Sequence, residues 1–235
     1  GNYKLGVMMS QKKEPLWELL GILFKAHPWH GVPIGVKYPT VVTTYIEVVP
    51  QDTIKYELDK FSGHLKVDRP QAFSNICPML YGLIPQTLCR EQVAELCMER
   101  TGRKGIVGDD DPLDICILSE KVIPRGDILL EALPIGGLRM IDDGEADDKI
   151  IAVLKGDAVF GNWTDIRDCP KKVIDRLKHY FLTYKNSPDG DGVICEIADI
   201  YGREEAYEVI RRAHDDYMVR FGDLEGLLNV ALKSV

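Results

Sequence analysis

Short apolar runs broken by turn residues dominate the chain from Thr43 onward. Their alternation predicts strands over 43–49, 53–58, 65–68, 115–118, 128–133, 137–141 and 149–154, with Lys60-Phe61-Ser62-Gly63-His64 as a turn between two of them. Several short strands at this spacing predict a small closed barrel. Between them, 87–101 changes to helical spacing (Leu88, Val93, Leu96, Cys97) and stops at Gly102, so the stretch at about 87–105 reads as an insertion into the barrel. The last third is predicted to be helical. Asp168-Cys169-Pro170 offers a cap and a first-turn proline, and Val173, Leu177, Tyr180, Phe181 and Tyr184 follow on one face. A second helix is expected from about 203 to 221, with 186–192 as a flexible linker. Residues 1–42 read as an arm: an amphipathic helix over 14–26, then the turn-rich His27-Pro28-Trp29-His30-Gly31-Val32-Pro33.

A chain of 235 residues that is 45% hydrophobic can bury a full core, as one large domain or two small ones. A net charge of -8 argues against nonspecific binding to nucleic acid or to an anionic membrane, which needs basic surface to displace counterions. The apolar stretch 16–24 is too short to span a bilayer and contains Glu18, so a soluble cytoplasmic protein is expected. The six cysteines (Cys77, Cys89, Cys97, Cys116, Cys169, Cys195) form no Cys-x-x-Cys pair, which points to buried thiols rather than a zinc site or disulfide framework. His27 and His30 have no carboxylate close in sequence to orient them and read as structural.

The densest chemistry lies in Gly108-Asp109-Asp110-Asp111-Pro112-Leu113-Asp114, which runs straight into the apolar strand Ile115-Cys116-Ile117-Leu118. Carboxylates fixed beside a buried strand suit a hard divalent cation, which prefers oxygen ligands and retains part of its water shell. An EF-hand loop does not fit, because its fifth and sixth positions would be Leu113 and Asp114 rather than an acid or amide and a glycine. No phosphate-cradling glycine loop and no Gly-x-Ser-x-Gly elbow is present. Polar pairs recur elsewhere: Lys55 and Glu57 share one strand face, Asp68-Arg69 ends the next strand, and Asp142 and Asp147-Asp148-Lys149 repeat the mixture of acid and lysine.

Taken together, these residues resemble the soluble family I inorganic pyrophosphatases. The family signature Asp-x-Asp-Pro-x-Asp is matched by Asp109-Asp110-Asp111-Pro112-Leu113-Asp114. Ile54-Lys55-Tyr56-Glu57-Leu58-Asp59, Val67-Asp68-Arg69, Leu80-Tyr81-Gly82, Asp142 with Asp147-Asp148-Lys149, and His179-Tyr180-Phe181-Leu182-Thr183-Tyr184-Lys185 follow in family order. The resemblance implies an α+β protein with a mainly β core, a small OB-like five-stranded closed barrel flanked by helices, within a single catalytic domain over 43–235. It implies hydrolysis of pyrophosphate to two phosphates with Mg2+, about three to four ions per site with substrate, Mn2+ or Zn2+ serving as substitutes. By the same resemblance Asp109, Asp114 and Asp147 hold activating metals, Glu57, Asp142 and again Asp147 hold metals arriving with substrate, and Glu47 supports the metal shell. Asp111 orients and deprotonates the attacking water, while Lys55, Arg69, Tyr81, Lys149, Tyr184 and Lys185 contact phosphate. A homo-oligomer is expected.

Charge makes metals necessary to that reading. The seven acids outnumber Lys55, Arg69, Lys149 and Lys185 by a formal balance of -3 before any anion enters. One position departs from the family pattern: many members carry tyrosine where this chain has Cys77, so altered hydrogen bonding in the site is expected. Two alternatives stay open at this level, a noncatalytic divalent-ion or polyphosphate-binding module and a hydrolase of another small phosphoanhydride.

Overall fold

A computed structural model describes residues 23–186, 188, 189, 195–222, 226, 230 and 233. The helix expected over 14–26 and the linker over 186–192 therefore fall largely outside the described residues. Among the described residues no helix is long and apolar enough to cross a membrane.

Five strands close the expected barrel. β1 (Val42–Val48), β4 (Leu80–Leu83), β6 (Asp114–Leu118), β9 (Lys149–Leu154) and β7 (Ile128–Asp142) each pair with the next, and β7 returns to pair with β1. All these pairings are antiparallel except β6 with β9. Both of those strands are buried on two faces, which explains their unbroken apolar sequences. Ile115, Ile117, Ile150 and Ala152 join one core cluster, while Cys116, Ile151 and Val153 join the other. A separate hairpin, β2 (Ile54–Leu58) with β3 (Leu65–Pro70), stands beside the barrel, and the short strands β5 (Val107–Gly108) and β8 (Glu145–Ala146) extend the sheet.

Three helices flank this sheet: α1 (Glu91–Thr101), α2 (Lys171–Thr183) and α3 (Arg203–Phe221). The first core cluster includes Val93, Leu96 and Cys97 of α1 with Ala206, Val209 and Ile210 of α3; the second takes Ile174, Leu177, Tyr180 and Phe181 of α2.

Several expected boundaries change. The two strands expected over 128–133 and 137–141 are one strand, β7, because Pro134 and Gly136 form a register-shifting bulge rather than a turn. A Cβ on Gly137 would lie 2.5 Å from the Tyr201 ring, so the glycine admits that ring across the strand. Tyr201 belongs to β10 (Cys195–Gly202), a strand within the third expected to be helical, paired with β7 through Cys195↔Asp142 and Tyr201↔Gly137. α1 begins at Glu91 rather than residue 87, and its first N–H groups are capped from α3. Asp216 accepts from the backbone N–H of Arg90 at 2.9 Å, Gln92 at 3.1 Å and Val93 at 3.2 Å. Asp168 does not cap α2; it accepts from the N–H of Thr164 and Asp165 around a short 3-10 turn, Ile166–Asp168, and Pro170 stands at the helix entrance.

The described cysteines are free thiols, all buried except the half-buried Cys195. His27 and His30 are structural. The N–H groups of Trp29 and His30 donate to His27 Nδ1, and His30 Nδ1 lies 2.8 Å from the Tyr217 hydroxyl.

Candidate active site

Strands, loops and one helix end contribute to a single cleft. β2 brings Lys55 and Glu57, β3 brings Arg69, β4 brings Tyr81, and the loop between β5 and β6 brings Asp109 and Asp111. Asp114 opens β6, Asp142 closes β7, Asp147 precedes β9, and Lys149 begins it. Tyr184 and Lys185 enter from the end of α2, as they must if those adjacent residues are to serve one site. Twelve of the thirteen residues singled out in the sequence thus line one polar cavity of about 280 Å3. The thirteenth, Glu47 of β1, lines the adjoining cavity with Lys55, Glu57, Tyr81, Asp111 and Asp114.

Lysines thread through the carboxylates. Lys149 Nζ donates to Asp114 at 2.5 Å and to Asp147 at 2.6 Å, and Tyr81 donates its hydroxyl to the same Asp114 oxygen at 2.6 Å. Lys55 donates to Asp68 at 2.8 Å, Lys185 pairs with Asp142, and Lys60 pairs with Asp111. Burial opposes the charge on Lys149, but Asp114 and Asp147 outweigh it and hold the ammonium well above its ordinary pKa. Burial and then Asp114 push the Tyr81 phenol well up.

Burial, with neighbouring acids adding to it, pushes two carboxyls of the site up. Asp109 is pushed up to about 9, first by burial and then by Asp147 and Asp114. Glu47, which accepts from the N–H of Leu58 at 2.7 Å, is pushed up to about 8, chiefly by burial. Both would carry a proton at neutral pH. A divalent cation offers the compensation the protein lacks, since it displaces the proton and neutralises the neighbours together. One oxygen of Asp142 is likewise buried without a partner among the described residues. The donor set, all carboxylate oxygen, is that of Mg2+ or Mn2+ rather than of a soft metal. Among the described residues no three of these acids are gathered at ion-binding distances; their oxygens turn to the lysines instead.

A family model described as inorganic pyrophosphatase matches residues 44–218. The chain is 55% identical to the inorganic pyrophosphatase of Chlamydia caviae over 83% of this chain and 92% of that protein. It is 37% identical to a soluble inorganic pyrophosphatase of Solanum tuberosum, over 82% of this chain and 81% of the relative. Among solved structures, the inorganic pyrophosphatase of Thermus thermophilus superposes with a TM-score of 0.69 at 30% identity, covering 82% of this chain and 99% of that one.

The chain belongs to the inorganic pyrophosphatase family. Within that family assignment, three charged residues that the sequence did not single out for the site also line it: Lys60, Asp68 and Glu145. Asp68-Arg69 marks the position of the second, but a lysine in a turn and a glutamate in a hairpin carry no signal of their own. Cys77, at a position where many family members have tyrosine, donates its buried thiol to the Met79 carbonyl at 3.4 Å. A nearby phenol belongs to Tyr180, which stacks on Tyr184 at 5.2 Å and donates to Gln71 at 3.2 Å.

Proposed function

We propose that this cleft hydrolyses inorganic pyrophosphate to two phosphates with Mg2+, by direct attack of a water and without a covalent intermediate. The observation that carries this reading is the convergence of Asp109, Asp111, Asp114, Asp142 and Asp147 with Lys55, Arg69, Lys149 and Lys185 around one cavity. The names of the chain's relatives point to the same substrate.

Asp109, Asp114 and Asp147 would hold the activating ions, Glu57 and Asp142 would join Asp147 in holding those that enter with substrate, and Glu47 supports them from behind. Bound by these acids, magnesium would supply an acidified water and positive charge against the phosphate oxygens. Asp111, on the loop before β6, lines the same cavity and would serve as the base that orients the water and takes its proton. Lys149, Lys185 and Lys55, together with Arg69, would bind the phosphate groups and stabilise the charge on the departing one. Tyr81 and Tyr184 add hydroxyl donors. The net charge of -8 argues against nucleic-acid and anionic-membrane partners, which leaves free pyrophosphate and phosphate in the cytoplasm as the ligands of this reading, with 43–235 as the catalytic unit.

Phosphate release from pyrophosphate should require Mg2+ and cease in chelator. Asp111→Asn should lose on the order of 100-fold in kcat. A variant with full turnover would remove Asp111 from its role, and tight pyrophosphate binding without phosphate release would leave a binding module in place of an enzyme.

A further inference from the structure

Immediately behind the cleft lies an ionic network that the proposed reaction does not use. Asp147 and Lys149 turn toward the cavity, and Asp148 between them turns the other way into the core, where it is 3% exposed. There Tyr201 of β10 donates its hydroxyl to Asp148 at 2.7 Å, and the Arg139 guanidinium of β7 stands 3.8 Å from the same carboxylate and 4.8 Å from the Tyr201 ring centre. Arg139 is 1% exposed and donates to Glu205 of α3 at 2.7 Å, and Arg100 of α1 donates to that same glutamate oxygen at 2.9 Å.

This network is poorly built for stability alone. Arg139 Nε and Nη1 and Asp148 Oδ1 are buried with no hydrogen-bond partner among the described residues. A buried ion pair is commonly matched or exceeded in stability by apolar residues of similar volume, and unsatisfied polar atoms make that comparison worse. Its placement suggests another use. Residues 147 and 148 lie between β8 and β9, outside both strands, and one backbone bond holds them to β7, from the Asp147 N–H to the Met140 carbonyl at 3.0 Å. The side chain of Asp148 is the second anchor.

We infer that Arg139, Asp148, Tyr201 and Glu205 are positioning residues: by clamping Asp148 from behind they fix the direction in which Asp147 and Lys149 present a carboxylate and an ammonium to the cleft. The inference rests on the reading of the cleft as a divalent-cation and phosphate site. It also gives the α1 insertion a task, since Arg100 steadies Glu205. Residues that orient a metal-binding side chain from behind typically change metal affinity by about 10- to 100-fold when removed.

The test replaces the charges together, with Arg139→Met, Asp148→Leu and Glu205→Leu in one protein, and reads Mn2+ binding by calorimetry beside pyrophosphate turnover. The folded triple variant should bind Mn2+ about 10-fold or more weakly, with a matching fall in kcat/KM and a circular dichroism spectrum like that of the wild type. A folded triple variant with wild-type Mn2+ affinity and turnover overturns the inference. Should the triple variant not fold, Tyr201→Phe decides alone: it removes one hydroxyl, leaves the ring over Arg139, and should weaken Mn2+ binding by about 2- to 10-fold, whereas unchanged affinity overturns the inference. A wild-type protein that neither binds Mn2+ nor releases phosphate sinks this inference and the proposed function together; a competent wild type with an equally competent folded variant sinks this one alone.

Discussion

In the cleft, Asp147 and Lys149 stand among eight carboxylates and four cations; directly behind them, Asp148 shares a closed space with Arg139, Tyr201 and Glu205. On the open side acid is in excess, carboxyls such as Asp109 are pushed toward the protonated form, and lysines are shared between acids. On the closed side each carboxylate faces a guanidinium: burial still pushes Asp148 up to about 6 against the pull of Arg139, whereas Glu205, after a burial effect that works the other way, is held below its usual range by Arg100 and Arg139. The same residue types therefore serve opposite ends. An unbalanced cluster with access to solvent suits added cations, and a nearly balanced one built on the buried Arg139 and Asp148 suits a brace.

The largest expected effect tests that contrast from the closed side. Arg139→Ala strands Asp148 and Glu205, and should lower stability by about 3–5 kcal/mol, or roughly 10 °C in Tm for a chain of this size; thermal unfolding in chelator checks it, and a shift of a degree or two would mean the pair is not a brace. From the open side, Lys149→Met should reduce kcat/KM on the order of 100-fold, because it removes a phosphate donor of the proposed mechanism. Steady-state kinetics at saturating Mg2+ would read this, and near-normal turnover would show that the ammonium serves only to pair acids. A smaller change sharpens the geometry: Gly137→Ala drives a methyl into the Tyr201 ring and should destabilise by about 1–3 kcal/mol, measurable by urea unfolding.

The smallest effect lies away from both regions. Burial first, and His27 second, lower the pKa of His30 from its usual 6.5 to about 4. The native state thus keeps His30 neutral while the unfolded chain takes up a proton near pH 6.5. Its contribution is fully present above pH 6.5, declines as pH falls toward about 4, and is constant below. Discounted for its partly buried position, the excess loss in wild type over His30→Asn between pH 7 and pH 4.5 should be on the order of 1 kcal/mol; parallel urea curves at the two pH values would count against it.

Much of the cleft was legible because its chemistry is concentrated in sequence. Asp109, Asp111 and Asp114 are packed around Pro112, and the resemblance tied the scattered Lys55, Arg69, Asp142 and Lys185 to them. The barrel was legible where strands alternate or run continuously apolar, as in β1, β6 and β9. What escaped was set by partners distant in the chain. β7 looked interrupted because Pro134, Gly136 and Gly137 are turn formers in sequence, yet here they make a bulge and admit Tyr201 from β10. β10 itself, with Glu196 and Asp199 among its residues, does not read as a strand until β7 supplies its neighbour. Lys60 sits in a turn like many solvated lysines, and nothing local says that Asp111 stands across from it. Asp148 looked like one more acid in an acidic run, because sequence does not tell which of two adjacent aspartates turns inward.

The aspartate that caps α1 stands more than a hundred positions downstream, at Asp216. During synthesis, then, the first of these helices emerges with its leading amides open and must wait for the last to be made before its end is sealed. Losing the downstream helix to a premature stop would uncap the upstream one and, because Glu205 lies in the lost helix, would also leave Arg100 and Arg139 without the carboxylate they share.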